Sequence, residues 1–101
     1  MRFAMAARGS VFSTRDRAIR VLAELEQAEA RSEEHEQELI LDFTDVTHVS
    51  DSFADKFVGT VASQRRSAGL PDPQIEGTIP FVKKVIDRTL ELRELSLPVA
   101  A

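Results

Sequence analysis

The side chains best suited to chemistry lie together at residues 48–52, which read His-Val-Ser-Asp-Ser. Histidine, serine and aspartate are the residue types of a nucleophilic triad. In an extended segment His48 and Ser50 share a face while Asp51 points the other way, so the acid does not reach the far side of the imidazole. We therefore expect no catalytic residues, and a small hydrolase or nucleotide-processing enzyme using His48 and Ser50 stays an alternative.

Metal and phosphate chemistry have weaker support in the sequence. The chain has no cysteine, which excludes thiolate metal sites and cysteine nucleophiles. His35 lies in the acidic stretch RSEEHEQE, where charge is typical of a solvated connection rather than of metal ligation. The glycines are isolated, so there is no glycine-rich phosphate loop. We expect neither a metal nor a cofactor.

Length and charge restrict the class of protein. A chain of 101 residues can form one domain, 1–101, with its own core. The net charge of −4 comes from interspersed acidic and basic residues, and the lack of a basic stripe argues against nucleic-acid binding. The apolar runs are too short to span a membrane, and the segment MRFAMAARGS does not resemble a secretory signal. We therefore expect a cytoplasmic protein without membrane contact.

Apolar periodicity predicts three helices, at Thr14–Ala30, Ser52–Ala68 and Pro80–Leu92. Ser13 and Asp16 have the spacing of a capping box at the start of the first helix. Gly69 is well placed to end the second helix, and Pro80 suits the first turn of the third.

The strands are predicted from apolar runs between these helices. Leu39–Phe43 is almost continuously apolar, which is typical of a central strand buried on both faces of a parallel sheet. Arg2–Ala7 and Val11–Phe12 are short candidates, and nearby prolines make Gln74–Thr78 a short edge strand. The N-terminal strand and turn, 1–10, are weakly defined, and 96–101 is expected to be a frayed tail.

The order of these elements predicts an α/β fold. One domain contains a mostly parallel sheet of about four strands packed with three helices. The predicted core contains Leu22, Leu25, Ile40, Leu41, Phe43, Val46, Phe57, Val58, Val61, Val82, Val85 and Ile86.

The polar cluster falls where a strand gives way to the second helix. Ser52 and Asp55 have capping-box spacing, and carboxylates suit the positive end of a helix dipole. The same position presents hydroxyls and carboxylates on a rigid base, as a recognition surface does. Two interpretations of the cluster therefore stay open, helix capping and recognition of a partner. The predicted partner-binding residues are Ser50, Asp51, Ser52, Phe53 and Lys56.

Phe53 has two interpretations with different consequences. It lies about 100° from the apolar face of its helix, although it can reach Phe57 four residues later. It is either a core residue or a partly exposed aromatic anchor beside Asp51, Ser52 and Lys56.

The stretch LILDFTDVTHVSDSFADKFVG resembles the STAS domains of anti-sigma factor antagonists, and more closely a STAS-like family of the DUF4325 type. The resemblance includes the strand Leu41-Asp42-Phe43, the turn residue Val46, the polar residues 50–52 and the helix start Phe53-Ala54-Asp55. FSTRDRAIRVL and IPFVKKVIDRTL resemble the first and last helices of such domains.

The resemblance implies a STAS-like fold and a non-catalytic regulatory function in bacterial signalling. The implied partner is an ATP-binding kinase-like or anti-sigma-like protein. In an ungapped comparison Asp51 occupies the position of the phosphorylated serine of the antagonists, and a shift of one residue places Ser50 or Ser52 there. Both serines are therefore candidate phosphorylation sites. Self-association through the third helix or the segment ELRELSLPVAA is a further alternative.

Overall fold

The computed structural model describes residues 1–31 and 38–94. In chain order its main elements are β1 (Arg2–Ala4), β2 (Val11–Phe12), α1 (Arg15–Arg31), β3 (Ile40–Asp42), β4 (His48–Val49), α2 (Asp51–Ala54), α3 (Thr60–Ser67), β5 (Gln74–Glu76) and α4 (Pro80–Leu92). A 3₁₀ turn follows β1 at Met5–Arg8, and a π-helical segment at Asp55–Gly59 joins α2 to α3. The predicted solvated connection with His35 and the tail 96–101 lie outside the described residues.

All strand pairs in the described residues are parallel. Strand β3 lies between β1 and β5 in a three-stranded sheet, and β2 pairs with β4. The central position of β3 and the edge position of β5 agree with the sequence. Strand β4 was not predicted, and the strands form groups of three and two rather than the expected sheet of about four.

The helices cover one face of the three-stranded sheet. The row Phe3, Leu41 and Ile75 is buried, and the rings of Phe3 and Phe57 lie 6.4 Å apart. On the opposite face Arg2 bonds to both Asp42 and Glu76. The expectation that β3 is buried on both faces is therefore wrong, because within the described residues this second face carries a solvated charged row.

The first helix begins one residue later than predicted, at Arg15. Its N-terminus is capped by Thr14, whose hydroxyl accepts a hydrogen bond from the Arg17 N–H at 3.0 Å. The expected cap at Ser13 is therefore wrong. Ser13 instead provides a carbonyl oxygen to the Ser50 hydroxyl, at 2.9 Å, and so ties the helix entry to the start of the second helix.

The second helix is one continuous run made of α2, the π segment and α3. It ends as the sequence indicates, because Gly69 takes a left-handed conformation with φ +71°. The Leu70 N–H then donates to the Arg65 carbonyl at 2.8 Å, which closes the helix end. The π segment was not predicted.

The third helix, α4, has its predicted bounds, Pro80–Leu92. The predicted core residues are buried except Leu22 and Ile40, which are half-buried. The described residues form one compact α/β domain with extents of 34 × 28 × 25 Å.

Candidate functional site

Ser50 connects strand β4 to the second helix. Its N–H donates to the Phe12 carbonyl at 2.9 Å, which continues the pairing of β4 with β2. Its hydroxyl accepts from the Phe53 N–H at 3.0 Å and donates to the Ser13 carbonyl at 2.9 Å. Ser50 is therefore the N-cap, in place of the predicted Ser52. Because its hydroxyl is already bonded on both sides, Ser50 is a poor candidate for phosphorylation in this conformation.

Phe53 is a core residue. Its side chain is 0% exposed, and its ring packs against Phe12 at 4.9 Å and Phe57 at 5.5 Å between centroids. The interpretation as an exposed anchor is wrong, because the Ser50 cap starts the helix early enough to turn this side chain inward. Phe53 therefore does not belong to the predicted partner-binding surface.

The other predicted surface residues remain accessible. Asp51 and Ser52 are exposed, and Lys56 is half-buried. Asp51 accepts a hydrogen bond from Arg88 at 2.6 Å, which links the start of the second helix to the middle of α4. Of the two candidate phosphorylation sites, Ser52 is the exposed one.

Asp55 organises a second ion-pair cluster beside Asp51. It accepts from the Arg93 Nε at 2.6 Å and from an Arg15 terminal nitrogen at 3.0 Å. The hydrogen bond from Arg93, helped by Arg15, holds the pKa of the Asp55 carboxyl below its ordinary value, although partial burial opposes the shift. This carboxylate therefore joins α1, the second helix and the end of α4.

Gly59 explains how Arg93 reaches Asp55. A Cβ at Gly59 would lie 2.5 Å from the Arg93 Nε, so the missing side chain leaves the space that the guanidinium group occupies. Gly59 closes the π-helical segment, a conformation that is rare and often found at functional sites. Arg93 also donates to the Ser63 hydroxyl at 3.4 Å.

These charged groups border a shallow cleft of about 230 Å³. Its lining includes Arg15, Asp51, Ser52, Asp55 and Arg88. The two ion pairs already satisfy much of its charge, so the cleft offers a polar contact surface rather than an enclosed pocket.

An aromatic stack lies at the other end of α4. The rings of His48 and Phe81 are 5.5 Å apart and inclined by only 20°, and Val11 is the partner of His48 in the strand register. Phe81 is 50% and Val11 52% exposed. This patch was not predicted from the sequence. Phe81 nevertheless lies outside the predicted buried stripe of α4, and an aromatic residue at such a position indicates an exposed apolar site.

His48 and Ser50 do not form a nucleophile–base pair. The His48 ring stacks on Phe81, while the Ser50 hydroxyl is bonded to main-chain groups. Residues 1–31 and 38–94 contain no group of three or more histidine, aspartate or glutamate residues arranged to hold a metal ion.

A separate groove of about 300 Å³ lies between α1 and α3. Its apolar lining includes Leu22, Leu25 and Val61, with Glu26 and Glu29 among the other lining residues. None of the predicted site residues lines it. Because Leu25 and Val61 are core residues, the groove is a crease between packed helices.

Helix α4 joins these features into one surface. Phe81, which touches His48, and Arg88, which touches Asp51, are seven residues apart, or about 10 Å along the helix. We define the α2–α4 surface by this set of residues: Val11, His48, Asp51, Ser52, Phe81 and Arg88.

The chain matches no protein-family model, no curated protein and no solved structure at a significant level. Among the described residues, no helix is both long enough and apolar enough to cross a membrane.

Proposed function

We propose that this chain is a non-catalytic regulatory module that binds another protein through the α2–α4 surface. The observation that carries the proposal is the stack of His48 and half-exposed Phe81, with half-exposed Val11 as the strand partner of His48, on the same surface as the exposed polar pair Asp51 and Ser52. An apolar centre with a polar rim is the usual anatomy of a protein–protein interface. Isolated exposed apolar residues need no such explanation, but Val11 and Phe81 both adjoin His48.

The partner class follows from the resemblance to STAS-like domains. It is an ATP-binding kinase-like or anti-sigma-like protein in the cytoplasm of a bacterium. STAS-like membership is part of this proposal. It is supported by the central strand β3, which contains Leu41 and Asp42, and by the helix that begins at Asp51. The accessible Ser52 is the serine at which a kinase would act.

Affinity capture from a lysate of the source organism tests the proposal. The tagged chain is compared with Phe81→Ser and with Ile19→Ser, which changes an equally exposed apolar residue on α1. We expect a protein partner to be retained by the wild type and by Ile19→Ser, and lost from Phe81→Ser. Equal retention by all three, or capture of a metabolite or nucleic acid without protein, would contradict the proposal.

Self-association through α4 is a second candidate. Leu92 is 81% exposed and lies on the same helix as Phe81, so α4 carries exposed apolar side chains near both of its ends. Sedimentation velocity over a range of concentrations separates the two candidates. A dimer that dissociates on Phe81→Ser would favour self-association, and a monomer at all concentrations would exclude it.

A further inference from the structure

The first nine residues of α4 are basic in net charge although the chain as a whole is acidic. Lys83, Lys84 and Arg88 outnumber the one carboxylate, Asp87, between Pro80 and Arg88, against a net charge of −4 for the whole chain. The first turn of α4 contains no acidic residue, and no side chain caps its N-terminus. The helix dipole and the lysines therefore produce positive potential at the same end of the helix.

This basic end borders the aromatic stack. A groove of about 540 Å³ is lined by Pro80, Phe81, Lys83, Lys84 and other residues. Lys83 bonds to Asp87 at 3.2 Å, whereas Lys84 makes no ion pair with any residue in the described ranges. The groove, which Asp87 also lines, thus combines an exposed aromatic ring with the Lys84 ammonium group, while the Asp87 carboxylate is paired with Lys83.

Building on the proposed function, we infer that the partner docks on this groove with an acidic segment that carries an aromatic or large aliphatic side chain. The apolar side chain packs on the stack of Val11, His48 and Phe81, and a neighbouring carboxylate pairs with Lys84. Charge complementarity selects this occupant, since an acidic group compensates the positive end of α4.

A polyanion such as a nucleic acid or an anionic membrane fits the surface less well. Arg88, the next cation along the helix, is already paired with Asp51, and Lys83 is paired with Asp87. A surface that binds phosphates along a chain needs several accessible cations in a row. Here Lys84 is the one lysine of the groove without an ion pair in the described residues, and it lies near an aromatic ring, which suits a short peptide.

Synthetic peptides test the inference without a known partner. The probes are the capped sequences GDEFDEG, GNQFNQG, GDEADEG and GKRFKRG, added to the ¹⁵N-labelled chain and followed by NMR. We expect GDEFDEG to bind most tightly, with amide shifts centred on Val11, His48 and Phe81–Lys84. High salt should weaken this binding, because the ion pair is exposed.

Two matched pairs of variants test the contacts. Lys84→Glu should lower the affinity for GDEFDEG about tenfold, since it replaces an electrostatic attraction by a repulsion. Arg20→Glu makes the same change of charge on α1 and should leave the affinity nearly unchanged. Phe81→Ala should weaken binding, and Ile19→Ala should not.

Several results would overturn the inference. These are no binding by any peptide, equal binding of GDEFDEG and GNQFNQG, equal binding of GDEFDEG and GDEADEG, or shifts centred elsewhere on the chain. Tighter binding of an oligonucleotide of matched charge would also overturn it, in favour of a polyanion. If lysate capture depends on Phe81 but not on Lys84, the proposed function stands and only the acidic character of the partner segment falls.

Discussion

At the scale of single residues, two phenylalanines lie in environments that the sequence left open for Phe53 and did not address for Phe81. Phe53 lies in the polar stretch and was a candidate anchor, yet it is buried against Phe12 and Phe57. Phe81 lies outside the predicted buried stripe of α4 and was given no role, and it is half exposed against His48. For Phe53 the burial accompanies the Ser50 cap, and the Ser50 N–H makes a non-local bond to the Phe12 carbonyl.

Truncating the two rings should therefore change the free energy of unfolding by very different amounts. We expect Phe53→Ala to lower the free energy of unfolding by about 3–5 kcal/mol, the usual cost of removing a buried phenylalanine ring. Phe81→Ala should change it by less than about 0.5 kcal/mol, as for most surface substitutions. Urea denaturation monitored by circular dichroism measures both. Comparable losses from the two variants would show that the burial of Phe53 or the exposure of Phe81 is wrong.

At the scale of elements, the helices were predictable and their local irregularities were not. The bounds Pro80–Leu92 follow from an apolar stripe and a proline at the first helical position, both of which are local signals. The π segment at Asp55–Gly59 ends at Gly59, where Arg93 packs from the distant end of α4. Strand β4 has only two residues, and its pairing with β2 is also non-local. Hydrophobic periodicity within a short window of sequence reveals neither the Gly59–Arg93 contact nor the pairing of β2 with β4.

The contact between Gly59 and Arg93 can be measured by a double-mutant cycle. Alanine is a better helix former than glycine by about 1 kcal/mol, so Gly59→Ala should stabilise the chain when Arg93 is also alanine. In the presence of Arg93 the new methyl group displaces the guanidinium from Asp55, and we expect that gain to disappear. The coupling free energy should therefore be about 1 kcal/mol. Additive effects would mean that Arg93 does not occupy the space beside Gly59.

At the scale of the whole molecule, three aspartates have carboxylates that are stabilised by hydrogen bonds or ion pairs of the folded chain. Asp42, Asp55 and Asp72 each have a carboxyl pKa below the ordinary value. The main causes are the Thr44 hydroxyl for Asp42, Arg93 for Asp55, and Arg66 for Asp72. Each of these aspartates binds protons less readily in the folded chain than in the unfolded chain.

Stability should therefore fall in acid. Because the folded pKa values are lowered, this stabilisation is complete above the unfolded value of 3.8 and is lost as the pH falls below it. We expect Asp55→Asn to be less stable than the wild type at pH 7, and the difference to shrink below about pH 4. Urea denaturation between pH 3 and pH 7 measures it. A difference that is constant with pH would contradict the stabilising role of the Asp55 carboxylate.

The parallel pairing of the strands has a consequence for how quickly the chain acquires its structure. Arg2 pairs with Ile40, Val11 with His48, and Ile40 with Gln74, so partners are 38, 37 and 34 positions apart. The described residues contain no hairpin from which a sheet could start. Each strand pairing must close a long loop before its contacts offset the lost chain entropy. Topologies of this kind fold slowly for their size. The helices can form early, but the row that joins Phe3, Leu41 and Ile75 assembles only when residues from both ends of the domain meet.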